Sequence, residues 1–95
     1  MKRTVVRSGA FTRATKRLLK RNPGLVNHLE LVLTQLEQDA FQPSLQSHKL
    51  KGNMAGRWAC SAGFDLRIIF SVVQVPQGEE ILLLTIGDHE DVYGS

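Results

Sequence analysis

The spacing of apolar residues divides the chain into a helical half and a strand half. Phe11, Ala14 and Leu18 recur three and four residues apart, with Thr15 beside them. That interval stacks side chains on one helix face. Arg13, Lys16, Arg17, Lys20 and Arg21 fall around the other face, so the pattern predicts an amphipathic helix over 10–21. Ser8 stands where such a helix takes its N-cap, and Arg3 to Arg7 alternates weakly around Val5 and Val6 as a short strand. Asn22-Pro23 marks the break, with Asn22 expected as cap and Pro23 at the first position of the next helix. Leu25, Leu29, Val32, Leu33 and Leu36 carry that helix to Asp39. Two helices joined this closely fold back as an antiparallel hairpin sharing an apolar stripe. His28 falls mid-helix and reads as a surface residue.

Residues 41–47, with Pro43, form a connector into the short extended piece His48-Lys49-Leu50-Lys51-Gly52. From Arg57 the period shortens. Trp58 to Gly63, Leu66 to Val75 and Glu80 to Ile86 read as strands, with a turn at Pro76-Gln77-Gly78. Leu66 to Phe70 and Ile81 to Leu84 are apolar on both faces, which puts them at the centre of a sheet. The expectation is a single α+β domain over 1–95, in which an N-terminal strand and a two-helix hairpin pack on one face of a small antiparallel sheet.

Composition narrows the class further. Ninety-five residues, 42% of them hydrophobic, suffice for one core. No apolar run approaches the roughly 20 residues of a membrane span, and no apolar stretch follows the basic start as in a signal peptide. Cys60, the single cysteine, can form neither an internal disulfide nor a cysteine-rich zinc site. The cytoplasm, with no membrane partner, is the expected compartment. Charge is unevenly placed: eight of twelve cations lie in residues 1–22 without an acid. Lys49, Lys51, Arg57 and Arg67 form a second basic zone, and five acids fall in residues 79–95. Two basic zones point to a polyanionic or acidic partner, against the plainer reading of a solvated helix face.

The candidate chemistry sits at strand ends. His48, Lys49 and Lys51 precede the first sheet hairpin, Asp65 and Arg67 open the central strand, and Asp88, His89 and Tyr93 follow the last. Antiparallel neighbours bring residue 66 beside residue 86, so Asp65, Arg67, His89 and Tyr93 share one end of the sheet. Each has a plainer reading: His48 as a satisfied core histidine, Lys49 and Lys51 as solvated cations, Asp65 with Arg67 as a surface ion pair. The histidines could join Asp65 or Asp88 as metal ligands, but no compact His-Glu-x-x-His spacing supports this. Cys60 has no evident base beside it. Two histidines, fixed cations and a tyrosine suit metal-free cleavage of RNA, with no cofactor. There the 2′-OH loses a proton as it attacks, the 5′-oxygen gains one as it leaves, and charge grows on the phosphoryl oxygens between.

The ordered elements His48-Lys49-Leu50-Lys51-Gly52, Phe64-Asp65-Leu66-Arg67-Ile68-Ile69-Phe70 and Ile86-Gly87-Asp88-His89-Glu90-Asp91-Val92-Tyr93 resemble the RelE/ParE toxin superfamily, and within it the YafQ-like mRNA interferases. The resemblance spans nearly the whole chain. It implies the RelE-like fold and the toxin of a type II toxin–antitoxin system. Such a toxin is a ribosome-dependent endoribonuclease that cuts translated mRNA, with a cognate antitoxin, the ribosome and mRNA as partners. Residue by residue, it implies that His48 and Asp65 are catalytic, that His89 is the general acid, and that Tyr93 stacks on or orients substrate. Arg67 matches an active-site arginine of the wider group, and Lys49 and Lys51, taken with Arg57, correspond to RNA-binding cations. Arg13, Lys16, Arg17 and Lys20 are expected to serve antitoxin or ribosome binding. Ala59 and Ser61 stand where YafQ-like enzymes have a second Asp/His pair, so Arg67, Lys49 and Lys51 are expected to supply charge stabilisation instead. Two other functions fit this fold: a ParE-type gyrase poison, and a non-catalytic module binding antitoxin or nucleic acid.

Overall fold

The structure, a computed structural model, describes residues 3–93. Its elements run β1 (Thr4–Arg7), α1 (Gly9–Arg21), α2 (Val26–Gln38), β2 (His48–Lys49), β3 (Trp58–Ser61), β4 (Leu66–Val75), β5 (Gly78–Asp88) and α3 (His89–Tyr93). α1 starts where the sequence calls for it: Ser8 is extended, and its hydroxyl accepts from the Phe11 N–H at 3.0 Å. The helix buries Phe11, Ala14 and Leu18 and leaves Arg13, Lys16, Arg17 and Lys20 exposed.

The helix joint differs from expectation. Pro23–Leu25 forms a single 3₁₀ turn and α2 begins only at Val26, while the Asn22 side chain caps nothing. Asn22 is already committed as the end of α1, its N–H donating to the Leu18 carbonyl at 2.9 Å. Gly24, a poor helix former, then delays the wider α turn. Leu25 is consequently only half-buried, whereas Leu29, Val32, Leu33 and Leu36 are buried as the stripe predicts.

The sheet has the order β1-β5-β4-β3-β2, antiparallel throughout except that β1 runs parallel to β5. This corrects the wholly antiparallel expectation. Short connections favour antiparallel pairing from β2 to β5, but β1 and β5 are far apart in sequence and under no such constraint. The helix hairpin carries the chain across the sheet to its opposite edge, leaving β1 to cover the apolar edge of β5. β5 is also longer than expected by two residues at each end, because β4 pairs it from Val75↔Gly78 to Leu66↔Asp88.

Two unequal clusters lie on the two faces. On one, Leu66, Ile68, Phe70, Ile81, Leu83 and Ile86 pack under α1 and α2. Burying a Phe or Leu side chain of this kind contributes about 1.5–3 kcal/mol, so this face holds most of the stability. On the other, Ala59, Ile69 and Val92 form a small patch with Leu50, Met54, Leu84 and Tyr93 packed against it. Among the described residues no helix is long and apolar enough to cross a membrane.

Candidate active site

The face away from α1 and α2 is where His48, Arg57, Arg67, His89 and Tyr93 gather, whereas Asp65, Lys49 and Lys51 lie elsewhere. Residues opposed across antiparallel strands point to the same side. His48 opposes Ala59, which opposes Ile69; one row along, Ser61 opposes Arg67, which opposes Gly87. Backbone pairing continues past β2, the Leu50 N–H donating to the Arg57 carbonyl at 2.9 Å, so Arg57 joins this face in the row on the other side of His48. His48 thus lies between two arginine rows. With strands about 4.8 Å apart and about 3.4 Å per residue, the Cα atoms of His48 and Arg67 are roughly 12 Å apart.

Local chemistry fixes the state of His48. Its Nδ1 lies 3.1 Å from the Gln46 carbonyl, and a carbonyl can only accept, so Nδ1 carries the hydrogen. In the neutral ring Nε2 is then a free lone pair, available to take a proton. Gln46 adopts a left-handed backbone (φ 52°) that turns this carbonyl toward the ring. Arg67 is half-buried, and its guanidinium donates to the Leu66 carbonyl at 3.0 Å, which holds the head in place.

His89 and Tyr93 reach this face on α3. The Asp88 carboxylate accepts from the Asp91 N–H at 2.8 Å, and the Asp91 carboxylate accepts from the Asp88 N–H at 3.1 Å. This reciprocal cap satisfies two orphan donors of the first turn. It starts a helix at His89 directly from the end of β5. Val92 and Tyr93 then pack on the Ala59–Ile69 patch. His89 and Tyr93, one turn apart, bring their ring centroids to 4.6 Å. Gly87 makes room for this helix. It remains inside β5, and a Cβ built there would come within 2.4 Å of the Asp91 Cβ. Its missing side chain is the space α3 occupies.

Asp65 lies at the same end of the sheet but opens toward α1. It lines a groove of about 430 Å³ with Leu18, Arg21, Asp88 and Asp91. The turn that carries it is unusual, because Gly63, Phe64 and Asp65 all have positive φ (76°, 50° and 63°). The Leu66 N–H closes it on the Gly63 carbonyl at 2.7 Å. Non-glycine residues held there cost about 1–3 kcal/mol each, so something must over-determine the turn. His28, expected as a surface residue, supplies a contact from α2: its Nε2–H donates to the Ala62 carbonyl, and its ring meets Phe64 edge-on at 4.9 Å. No helical pattern separates such a histidine from a solvated one. The Asp88-x-x-Asp91 cap, by contrast, was available in the sequence as a capping-box spacing.

Other candidates lie apart. Lys49 opposes Trp58, which opposes Phe70 of the main core, so it points to the α1/α2 side; its Nζ sits 5.6 Å over the Trp58 ring. Lys51 is exposed on the β2–β3 loop. Ala59 and Ser61 occupy the same face as His48 and Arg67 and offer no titratable group there. Cys60 points into the main core, where burial pushes its thiol up to about 12, so it is no nucleophile. Among the described residues no three His, Cys, Asp or Glu side chains converge as metal ligands.

The family described as a bacterial toxin of type II toxin–antitoxin systems, YafQ, matches residues 3–94. The chain belongs to the YafQ toxin family. No curated protein sequence matches it significantly. Among solved structures, YafQ from E. coli strain BL21(DE3) is similar in fold, with a TM-score of 0.77 at 18% identity over 98% of this chain and 100% of that one. The E. coli DinJ–YafQ toxin–antitoxin complex matches with a TM-score of 0.75 at 19% identity, over 99% and 100%. A metal-bound toxin from Helicobacter pylori matches at 0.71 and 26%, over 97% and 99%.

Proposed function

We propose that this YafQ-family toxin is an endoribonuclease that cuts mRNA on the ribosome and is restrained by a cognate antitoxin. The observation that carries the reading is the state and setting of His48. It is an exposed imidazole whose Nδ1–H is engaged by the Gln46 carbonyl, on the sheet face that also bears Arg67 and receives α3. His48 Nε2 takes the proton of a ribose 2′-OH as that oxygen attacks the adjacent phosphorus. Arg67 and Arg57 stabilise the charge that builds on the phosphoryl oxygens. His89 gives a proton to the departing 5′-oxygen, leaving a 2′,3′-cyclic phosphate and a 5′-hydroxyl. Tyr93 stacks against a base, and Asp65, at the same end of the sheet but opening toward α1, is the carboxylate that the resemblance adds to the set. DNA lacks the 2′-OH and is not a substrate.

Two features favour a large, polyanionic platform over free RNA. The face is open, and α1 adds Arg13, Lys16, Arg17 and Lys20, all exposed. The antitoxin partner is supported by family membership and by the likeness to YafQ in its DinJ complex. The test is to add the purified protein to translating ribosomes and map mRNA ends, with gyrase supercoiling in parallel. New ends bearing 2′,3′-cyclic phosphate and unaffected supercoiling are expected. Intact mRNA together with inhibited supercoiling would replace this reading with the gyrase one.

A further inference from the structure

We infer that His28 is a positioning residue for Asp65: by clamping the β3–β4 turn from α2 it holds that carboxylate in its working direction. The inference rests on the reading of Asp65 as part of the nuclease site. Three observations converge on the turn. Its central residues, Phe64 and Asp65, are both left-handed (φ 50° and 63°), a geometry that ordinarily selects Asn-Gly. Phe64 is 73% exposed, so its own burial does not fix the backbone. No hydrogen bond or ion pair holds the Asp65 side chain among the described residues, so the backbone of the turn sets where its Cβ points and what its carboxylate can reach.

Beyond the hairpin's own backbone hydrogen bonds, what holds the turn is His28. Its Nε2–H satisfies the Ala62 carbonyl at the base of the turn, and its ring edge meets the Phe64 ring. The fit is close from the other side as well. A Cβ on Gly63 would lie 2.7 Å from His28 Nε2, so glycine is needed both for φ 76° and for room for the imidazole. Without the ring, the Ala62 carbonyl loses its donor, Phe64 loses its aromatic neighbour, and the two left-handed residues are free to relax. Asp65 would then turn away from the sheet end.

The test is single-turnover mRNA cleavage on programmed ribosomes for wild type, His28→Ala, His28→Gln, Asp65→Asn and the double variant His28→Ala/Asp65→Asn. Gln can place its amide nitrogen near the position of Nε2. His28→Ala is expected to cut about 10-fold more slowly, less than the roughly 100-fold of a full 1 Å misplacement because the hairpin bonds still hold part of the turn, and His28→Gln to recover to within about threefold. In the Asp65→Asn background His28→Ala should cost nothing further, the mark of two residues acting as one unit. Amide exchange at Leu66, whose N–H closes the turn, should accelerate in His28→Ala and not in His28→Gln. An equal loss in both backgrounds, or unchanged Leu66 exchange, overturns the inference. If His28→Ala does not fold, Gly63→Ala strains the same contact with no substitution in α2, and wild-type cleavage by it overturns the inference too. An Asp65→Asn protein that cuts normally removes Asp65 and this inference while the nuclease reading stands. A wild type that cuts nothing removes both.

Discussion

Gly87→Ala isolates what α3 contributes, because the substitution adds one methyl group at a single place. That methyl would sit 2.4 Å from the Asp91 Cβ and 2.8 Å from its Oδ2, where ordinary contact begins at 3.4 Å. The Cβ of Asp91 is fixed to the helix backbone and cannot swing aside, so α3 must move by about 1 Å or detach. Staying in place costs about 1–3 kcal/mol, as overpacking does. Detaching is taken only where it costs less than staying, so the stability loss does not exceed about 1–3 kcal/mol, which for a domain of this size lowers Tm by roughly 4–8 °C per kcal/mol. Activity has no such limit: a displacement of about 1 Å in a catalytic group costs on the order of 100-fold. Gly87→Ala should therefore melt cooperatively, at a somewhat lower temperature, yet cut ribosome-bound mRNA at least about 100-fold more slowly, with fast amide exchange throughout α3. A folded Gly87→Ala protein that cuts within about threefold of wild type would refute this coupling of α3 to the sheet.

Changing Lys16, Arg17 and Lys20 together to Gln should weaken ribosome or antitoxin binding at low salt and flatten its salt dependence. Each phosphate left without its cation lowers the slope of log K against log salt by about 0.7–0.9, and an unchanged slope would mean that the helix face is only solvated. A second test uses pH. Hydrogen bonds from Gln74 and from Arg3 hold the Glu79 carboxyl below its ordinary value. A depressed folded-state pKa gives stability that is complete above the unfolded value and is lost as pH falls through the folded one. Glu79→Gln should thus show a shallower fall in Tm below about pH 4.5, and a fall as steep as that of wild type would contradict the linkage.

Much of the architecture was legible because local rules and packing agreed. Ser8 capped α1 as its position required, the leucines of α2 went inward, and β4 spans Leu66–Val75 as the apolar run marked it. The meeting of Arg67 with the end of β5 followed from hairpin topology alone, and the register bears it out at Arg67↔Gly87. What escaped depends on contacts between distant segments. Nothing within Thr4–Arg7 encodes that its partner is β5 or that the pairing is parallel. Alternation separated His48 from Lys49, but only the position of the helix hairpin decides that Lys49 falls on the covered side against Trp58. His28 and Gly63 make sense only as a pair brought together across the fold. Gly87 likewise matters for its lack of a side chain, which only the packing of α3 against β5 reveals.

The most direct test of the nuclease reading is single-turnover cleavage by His89→Gln on programmed ribosomes, with folding checked by thermal unfolding. Gln preserves size and some hydrogen bonding at the start of α3 but cannot hand over a proton at neutral pH. His89 is exposed and carries little of the core, so Tm should hardly change. Cleavage should fall by the roughly 10²–10⁴-fold that a general acid contributes. A folded His89→Gln protein that cuts within about threefold of wild type would contradict the account and leave His48 as the only histidine on the face able to move a proton.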